Sequence, residues 1–239
     1  MKDLIRTVAA QAGYEIHHKS LGTGDPFEQQ FSLLNGIASP VIFDVGANIG
    51  DITRKYRSLF PGAMIYAFEP FSESFACLDR AARKDNRIVA CRLAFGGTEG
   101  IGVLRVNSSG PTNSLLQTEE SAASFWGSGL METTTTVDVE LSTIDTFCDQ
   151  RDIHEIDVLK IDTQGTELEI LRGAIKMLTA RKIRLVYMEM IIAPSYKGQA
   201  KPHETMYFFD KLGYHIHGFY NLWRRRDGRI LQMDAIFVR

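Results

Sequence analysis

Short apolar runs that alternate with segments of helical periodicity constrain the fold of this chain more than any other feature. Such runs are typical of strands that are buried on both faces of a sheet. They lie at residues 41–45, 64–68, 88–93, 157–162 and 185–190. Helices are expected between or after them, at residues 51–60, 72–84 (with Ser72 as its N-cap), 167–178 and 203–212. This alternation predicts an α/β fold with a mostly parallel, doubly wound sheet.

The end of the chain departs from this alternation. Two more strands are expected at residues 215–220 and 234–238, joined through the turn signal Asp227-Gly228 and not through a helix. Strands connected in this way pair in opposite directions. The sheet is therefore expected to have an antiparallel edge strand.

Two further segments differ from the regular pattern. Residues 1–38 are interpreted as an N-terminal helical extension, with apolar positions on one face of a helix over 3–12, and residues 39–239 as the main domain. Residues 96–155 are interpreted as an insertion with strands at 101–106 and 133–141 and a short helix capped by Ser142. An insertion of this length is either a lid or substrate-binding element, or a mobile surface segment.

Composition narrows the classes of partner. The chain of 239 residues has 27 Lys and Arg against 29 Asp and Glu, which gives no electrostatic reason to bind nucleic acid or an anionic membrane. Three widely spaced cysteines indicate neither a disulfide framework nor a zinc site. No apolar run approaches the roughly 18 residues of a membrane span, and the first residues lack a signal-peptide core. A small-molecule or glycan acceptor and a cytoplasmic location are expected, and the question of a homodimer stays open.

The turn after the first strand, residues 44–50 (DVGANIG), lies where open α/β sheets bind their ligands. Gly46 and Gly50 let the backbone approach a ligand. The middle glycine of a dinucleotide-binding turn is replaced by Asn48, whose side chain would crowd a pyrophosphate. S-adenosylmethionine carries no phosphate, and Asp44 supplies a carboxylate for its ammonium group. The turn therefore favours S-adenosylmethionine as the cofactor.

A second cofactor element is expected at the end of the next strand, where Glu69 follows Asp44 by 25 positions. Its carboxylate can accept hydrogen bonds from both ribose hydroxyls, and the neighbouring Phe68 and Phe71 can cover the adenine. The alternative is a solvent-exposed Glu69 before Pro70, with both phenylalanines in the core.

Four stretches carry a family resemblance: residues 43–50 (FDVGANIG), 66–70 (YAFEP), 141–145 (LSTID) and 159–167 (LKIDTQGTE). With them the chain resembles the FkbM family of S-adenosylmethionine-dependent methyltransferases. The resemblance implies a Rossmann-like class I methyltransferase fold and O-methylation of a sugar or natural-product hydroxyl. Gln164 departs from the family pattern, in which a Glu is frequent there, and residues 1–38 carry none of the likeness.

Methyl transfer to a hydroxyl calls for a group that removes its proton, in addition to alignment of the reactants. Asp162, which ends a central strand, is expected to be this base or a metal ligand, with a turn-capping role as the alternative. Glu189 ends the next strand among apolar neighbours and is the second candidate. Lys160 is expected near them, paired with Asp162 or Glu167 or in a structural ion pair.

A divalent metal is a weaker expectation. Asp162 and Glu189 could offer oxygen ligands to a magnesium-type ion, although the sequence shows no third ligand. Asn113 and Ser114 in the insertion could contact a polar acceptor.

Two other functions remain open. One is a non-catalytic cofactor-binding or scaffold protein with the same fold. The other is a nicotinamide-dependent oxidoreductase, which Asn48 disfavours.

Overall fold

A seven-stranded sheet forms the centre of the protein in the computed structural model, which describes residue 11 and residues 24–239. Its strands lie in the order β3-β2-β1-β7-β8-β10-β9. They are β1 (Val41–Val45), β2 (Met64–Phe68), β3 (Ile88–Cys91), β7 (Ile156–Ile161), β8 (Ile183–Ile191), β9 (His215–Arg224) and β10 (Ile230–Val238). The first five strands in this order are parallel, and β10 is antiparallel to both β8 and β9. The predicted fold class, with its antiparallel edge, is confirmed.

Helices and packed side chains cover both faces of this sheet. The helices are α1 (Pro26–Leu33), α2 (Asp51–Leu59), α3 (Ser72–Ala82), α4 (Ala123–Trp126), α5 (Ile144–Arg151), α6 (Glu167–Arg172), α7 (Ile175–Thr179) and α8 (Pro202–Lys211). Successive residues of β1 belong to different hydrophobic clusters, Ile42 to one and Phe43 to the other. Because neighbouring residues of a strand face opposite sides, both faces of the central strands are buried, as the apolar runs predicted.

The predicted insertion contains a second, smaller sheet. Its strands are β4 (Ala94–Phe95), β5 (Gly100–Asn107) and β6 (Thr133–Ser142), in the order β4-β6-β5. β5 and β6 pair in antiparallel fashion along almost their whole length. These two strands of the segment therefore belong to a sheet that is separate from the main one.

Three local predictions were wrong. Residues 167–178 form two short helices and not one, because the Asp145 carboxylate accepts the backbone N–H groups of Lys176 and Met177 and so begins a new helix. The helix after β6 is capped by the Thr143 hydroxyl and not by Ser142. Ser72 is the first helical residue of α3 and makes no side-chain cap.

The segment that precedes β1 contains a helix that the sequence analysis missed. Asp25 caps α1 by accepting the N–H of Phe27 at 2.8 Å, and Pro26 follows as the first helical residue. Phe27 is buried and its ring contacts those of Tyr56 and Tyr187. Residues 24–38 thus pack against the main sheet. The helix predicted over residues 3–12 lies, apart from residue 11, outside the described residues.

None of the described helices is long and apolar enough to cross a lipid bilayer.

Candidate active site

The turn after β1 packs against the ends of two neighbouring strands. Gly46 has a φ of +76°, and a Cβ atom there would lie 1.9 Å from the carbonyl oxygen of Asp162, which follows β7. The N–H groups of Gly46 and Ala47 both donate to the carbonyl oxygen of Phe68 at the end of β2. Only glycine fits this position, since it has no side chain and adopts positive φ freely.

Glu69 completes the turn. Its Oε2 accepts the N–H of Asn48 at 2.9 Å and its Oε1 accepts the N–H of Phe71 at 2.9 Å. Burial raises the pKa of Glu69, and the two N–H groups offset part of that rise. The side chain is 8% exposed. Glu69 is therefore anchored between the two strand ends, and the exposed alternative for it is wrong.

An ion pair lies behind the turn. Lys160 Nζ is 3.0 Å from Asp44 Oδ1, and both residues are buried. Asp44 Oδ2 also accepts the Thr53 hydroxyl at 2.6 Å, while Lys160 donates to the carbonyl oxygen of Gly46 at 2.9 Å. The prediction that Lys160 pairs with Asp162 or Glu167 is wrong, and its structural ion-pair alternative holds with Asp44 as the partner.

This pair keeps Lys160 charged. Burial alone would lower the pKa of Lys160, but the carboxylates of Asp44 and Asp162 outweigh it and hold the pKa above its usual value. A lysine that stays charged accepts no proton, so Lys160 acts by holding the turn. Asp44 is fully buried behind that turn, and the structure places its charge against Lys160 and not in the neighbouring cavity.

An open cavity, here called the cleft, lies at the ends of β1, β2 and β7 and has a volume of about 730 Å³. Gly46, Asn48 and Glu69 line one part of it, and the apolar side chains of Leu93, Phe95 and Leu104 line another. The predicted cofactor turn and the predicted ribose ligand thus meet in one cavity.

The two phenylalanines expected over adenine have different places. Phe68 borders the cleft but is fully buried, with its ring against those of Phe43, Phe95 and Phe147. Phe71 does not belong to the cleft lining and packs on the small sheet instead. Their placement supports the core alternative for both rings. The apolar residues at 93, 95 and 104 carried no motif from which sequence reasoning could have found them.

A second cavity, here called the chamber, adjoins the cleft and has a volume of about 710 Å³. The two cavities share three lining residues, Pro111, Asp162 and Gln164, here called the shared wall. The chamber is also lined by Thr112, Trp126, Leu130, Met131, Glu189, Ile191, Ser195, Tyr196 and Gln232. Both predicted catalytic carboxylates, Asp162 and Glu189, therefore reach one cavity. Of the two insertion residues singled out, Asn113 lines the cleft, and the Ser114 hydroxyl donates to the carbonyl oxygen of Gln164.

Gln164 connects the two carboxylates. Its Nε2 donates to Asp162 Oδ1 and to Glu189 Oε2, both at 2.9 Å. Its Oε1 lies 2.9 Å from the hydroxyl of Tyr196, which orients the amide. A Glu at this position has no such N–H groups to donate. The departure from the family pattern thus has a structural role that the sequence analysis missed.

Two glutamates near the shared wall differ in function. Burial, together with the charges of Asp162 and Glu167, raises the pKa of Glu189 well above its ordinary value. Glu167 instead accepts the N–H groups of Thr163 and Gly165 and so holds the turn between β7 and α6. Among the described residues, no three His, Cys, Asp or Glu side chains come together as metal ligands would.

The strand order and the turn after β1 define the Rossmann-like class I methyltransferase fold. A model of the methyltransferase FkbM domain matches residues 44–216. The chain belongs to this family of methyltransferases.

Two named relatives share 27% of their residues with this chain over part of its length. The chain is 27% identical over 169 residues to the 2-O-methyltransferase NoeI of Sinorhizobium fredii, which covers 67% of this chain and 67% of NoeI. It is 27% identical over 142 residues to Methyltransferase 1 of Beauveria bassiana, which covers 55% of this chain and 57% of that protein. The chain thus spans about two thirds or less of the length of these relatives. Among solved structures, it superposes on the precorrin-6y C5,15-methyltransferase of Geobacter metallireducens with a TM-score of 0.49 and 12% identity, covering 94% and 93% of the two chains.

Proposed function

We propose that this protein transfers the methyl group of S-adenosylmethionine to a hydroxyl oxygen of a small acceptor, such as a sugar or a natural product. The observation that carries the proposal is that the cleft, which contains the Gly turn and Glu69, meets a second cavity at the carboxylate of Asp162. The cleft can thus bind the cofactor while the second cavity binds the acceptor, with the shared wall between them. The chain's relative NoeI is a 2-O-methyltransferase by name, which supports oxygen as the accepting atom.

The residues of the cleft fit S-adenosylmethionine better than a dinucleotide. Each oxygen of Glu69 accepts one backbone N–H and keeps a lone pair, so the carboxylate can still accept both ribose hydroxyls. The N–H groups of Gly46 and Ala47 both donate to Phe68, and that of Asn48 donates to Glu69. Because these three N–H groups already donate within the protein, they are not free to bind a pyrophosphate.

The remaining parts of the cofactor have matching surfaces. The apolar side chains of Leu93, Phe95 and Leu104 suit the adenine ring. The backbone of the turn near Gly46 suits the methionine end. Bound there, S-adenosylmethionine supplies a methyl group activated by its attachment to a sulfonium.

The chain's own contribution to the chemistry is to position the acceptor hydroxyl and accept its proton. Asp162 lies on the shared wall, where the two ligands would meet. Glu189 is joined to it through Gln164, and burial together with the charge of Asp162 raises the pKa of Glu189, so this group holds a proton more readily than an ordinary glutamate. As the acceptor oxygen gains the methyl group, its proton passes to this pair of carboxyl groups.

Calorimetric titration of the purified chain with S-adenosylmethionine, S-adenosylhomocysteine and NAD tests the cofactor assignment. The wild type should bind the first two in the micromolar range and give no signal with NAD. In Glu69→Ala the affinity should fall at least about tenfold, since about 1.4 kcal/mol corresponds to that factor and a hydrogen bond to a charged group contributes about as much. Glu73→Ala is the matched control, because Glu73 is exposed four positions later.

Transfer of a deuterated methyl group to a panel of hydroxylated acceptors, followed by mass spectrometry, tests the catalytic half of the proposal. A product heavier by one labelled methyl group supports it. Tight cofactor binding without turnover on any acceptor would instead favour the non-catalytic binding protein. A folded sample that binds NAD but neither S-adenosyl compound would overturn the proposal altogether.

A further inference from the structure

The outer side of the chamber is built by contacts between the insertion and the loop after β8. The indole N–H of Trp126 donates to the Ser195 hydroxyl at 2.7 Å. The backbone N–H of Lys197 donates to the carbonyl oxygen of Gln117 at 2.7 Å, and that of Glu119 donates to the carbonyl oxygen of Ser195. These bonds join segments that lie far apart in sequence. The chamber is therefore a constructed cavity whose wall holds the Trp126 ring in a defined place.

One side of the chamber is apolar. Trp126, Leu130, Met131 and Ile191 line it, and three of them are at least half-buried although they border the cavity. Leu130 is 48% exposed, which leaves apolar surface at the mouth. Such a surface gains from contact with the apolar face of a ligand.

The other side carries two carboxylates with unused acceptor capacity. Gln164 donates to Asp162 Oδ1 and to Glu189 Oε2, and among the described residues no group donates to Asp162 Oδ2 or Glu189 Oε1. Both residues line the chamber, and its lining contains no Lys, Arg or His. The cavity therefore offers acceptors to hydroxyl groups and offers no cation to an anionic one. A carboxylate or phosphate on the acceptor would meet like charge at close range.

We propose that the chamber is the acceptor site and that it selects an uncharged molecule with neighbouring hydroxyl groups on one side and an apolar face on the other. Trp126 sets the apolar contact, and the carboxylate of Asp162, with no cation in the lining to offset it, sets the discrimination against anions. This inference rests on the proposed function, because the methyl group must arrive through the shared wall. Membership of the family alone defines neither the acceptor site nor its preference for uncharged acceptors.

Binding to the chamber can be followed through a single tryptophan. The chain has two tryptophans, and Trp223 is 62% exposed on β9, outside both cavities. In Trp223→Phe, fluorescence reports on Trp126 alone. The probes are p-nitrophenyl β-glucoside and p-nitrophenyl β-glucuronide, which differ by one carboxylate, added to protein saturated with S-adenosylhomocysteine.

The glucoside should quench Trp126 at a concentration at least tenfold lower than the glucuronide does. In Asp162→Asn this preference should shrink to less than threefold, whereas in Asp138→Asn, an exposed control on β6, it should persist. Equal binding of the two probes to the wild type, tighter binding of the glucuronide, or no quenching by either probe would overturn the inference.

Kinetics separate the inference from the proposed function. Trp126→Ala should raise the KM for an uncharged acceptor at least tenfold and leave the affinity for S-adenosylhomocysteine within twofold, while Trp223→Ala should change neither. If the wild type does not bind S-adenosylhomocysteine, the proposed function fails. If it binds the compound and methylates acceptors, but Trp126→Ala behaves like wild type, the chamber inference alone fails.

Discussion

The cleft and the chamber adjoin at one wall but are built in different ways. The cleft depends on main-chain contacts: Gly46 against the carbonyl of Asp162, and the turn N–H groups on Phe68 and Glu69. The chamber depends on side chains from distant segments, such as Trp126 and Ser195, which are 69 positions apart. A site made of backbone tolerates little change in shape, whereas a site made of side chains can be altered residue by residue. The cleft therefore suits a ligand whose structure is always the same, such as a cofactor. The chamber suits an acceptor that must be selected from many similar molecules.

The largest expected effect comes from breaking the ion pair behind the cleft. Lys160→Met leaves the carboxylate of Asp44 buried and without its cation, which should lower the free energy of unfolding by about 3–5 kcal/mol. The turn also loses the ammonium group that holds the carbonyl of Gly46. Urea unfolding measures the first effect. Calorimetry should show at least tenfold weaker binding of S-adenosylmethionine in the protein that remains folded.

Lys182→Met is the matched control for that variant, because Lys182 pairs with Glu155 on the surface, with both side chains about half exposed. Its loss should cost less than about 1 kcal/mol. Equal destabilisation by the two substitutions would mean that the buried pair has no special role.

Gly46→Ala tests the backbone construction of the cleft directly. A Cβ atom 1.9 Å from a carbonyl oxygen forces the strand end to move, and positive φ adds strain, so a loss of about 3 kcal/mol is expected. Gly96→Ala is the control, since its Cβ would meet nothing nearer than 3.8 Å. Thermal unfolding of both variants, with the cofactor titration, is the measurement. Unchanged cofactor affinity in a stable Gly46→Ala protein would contradict the account of the turn.

Glu189→Gln tests the carboxylate pair of the chamber. If Glu189 takes up the acceptor's proton, kcat should fall by about 10²–10⁴ while cofactor affinity changes less than twofold. The pH dependence of stability gives a second readout. The pKa of Glu189 is raised in the folded protein. Its contribution to the free energy of unfolding is therefore complete at pH values below the pKa that Glu189 has in the unfolded chain. It is lost as the pH rises through the pKa that Glu189 has in the folded protein.

A glutamine does not titrate, so the Glu189→Gln variant does not lose stability in this way. Above the pKa of Glu189 in the unfolded chain, the stability of the variant relative to the wild type should therefore increase with pH. Chemical denaturation at a series of pH values checks the sign. A difference that is constant with pH, or that decreases as pH rises, would show that Glu189 is not held at a raised pKa.

The smallest effect is expected at Phe71. Its ring packs on the small sheet and lies outside the cleft lining, so Phe71→Leu should change the Kd of S-adenosylmethionine less than threefold and the stability by about 1 kcal/mol. Calorimetry decides between this result and the adenine contact that the sequence suggested. If the cofactor affinity of this variant falls tenfold, the result would support a contact between Phe71 and the adenine.

The sequence predicted those parts of the molecule that depend on local pattern. Apolar runs such as 41–45 identify buried strands, and Gly46 and Glu69 could be placed because each follows directly on a strand. Helix α1 also had a local signal, the cap at Asp25 followed by Pro26, which was overlooked among the glycines around it.

What the sequence could not provide are the contacts across the fold. The partner of Lys160 is Asp44, 116 positions earlier, because β1 and β7 lie side by side in register at these two residues. The bridge made by Gln164 depends on its positive φ and on the Tyr196 hydroxyl, and no spacing rule signals either. The chamber has no motif of its own, since its lining comes from five separate segments.

The central claim is that the cofactor lies in the cleft and presents its methyl group at the shared wall. A crystal structure of the protein with S-adenosylhomocysteine tests it most directly. The account predicts the ribose hydroxyls on Glu69, the adenine against Leu93, Phe95 and Leu104, and the sulfur beside Asp162, with the chamber left open for an acceptor. A ligand found in the chamber, or ribose hydroxyls without contact to Glu69, would contradict it.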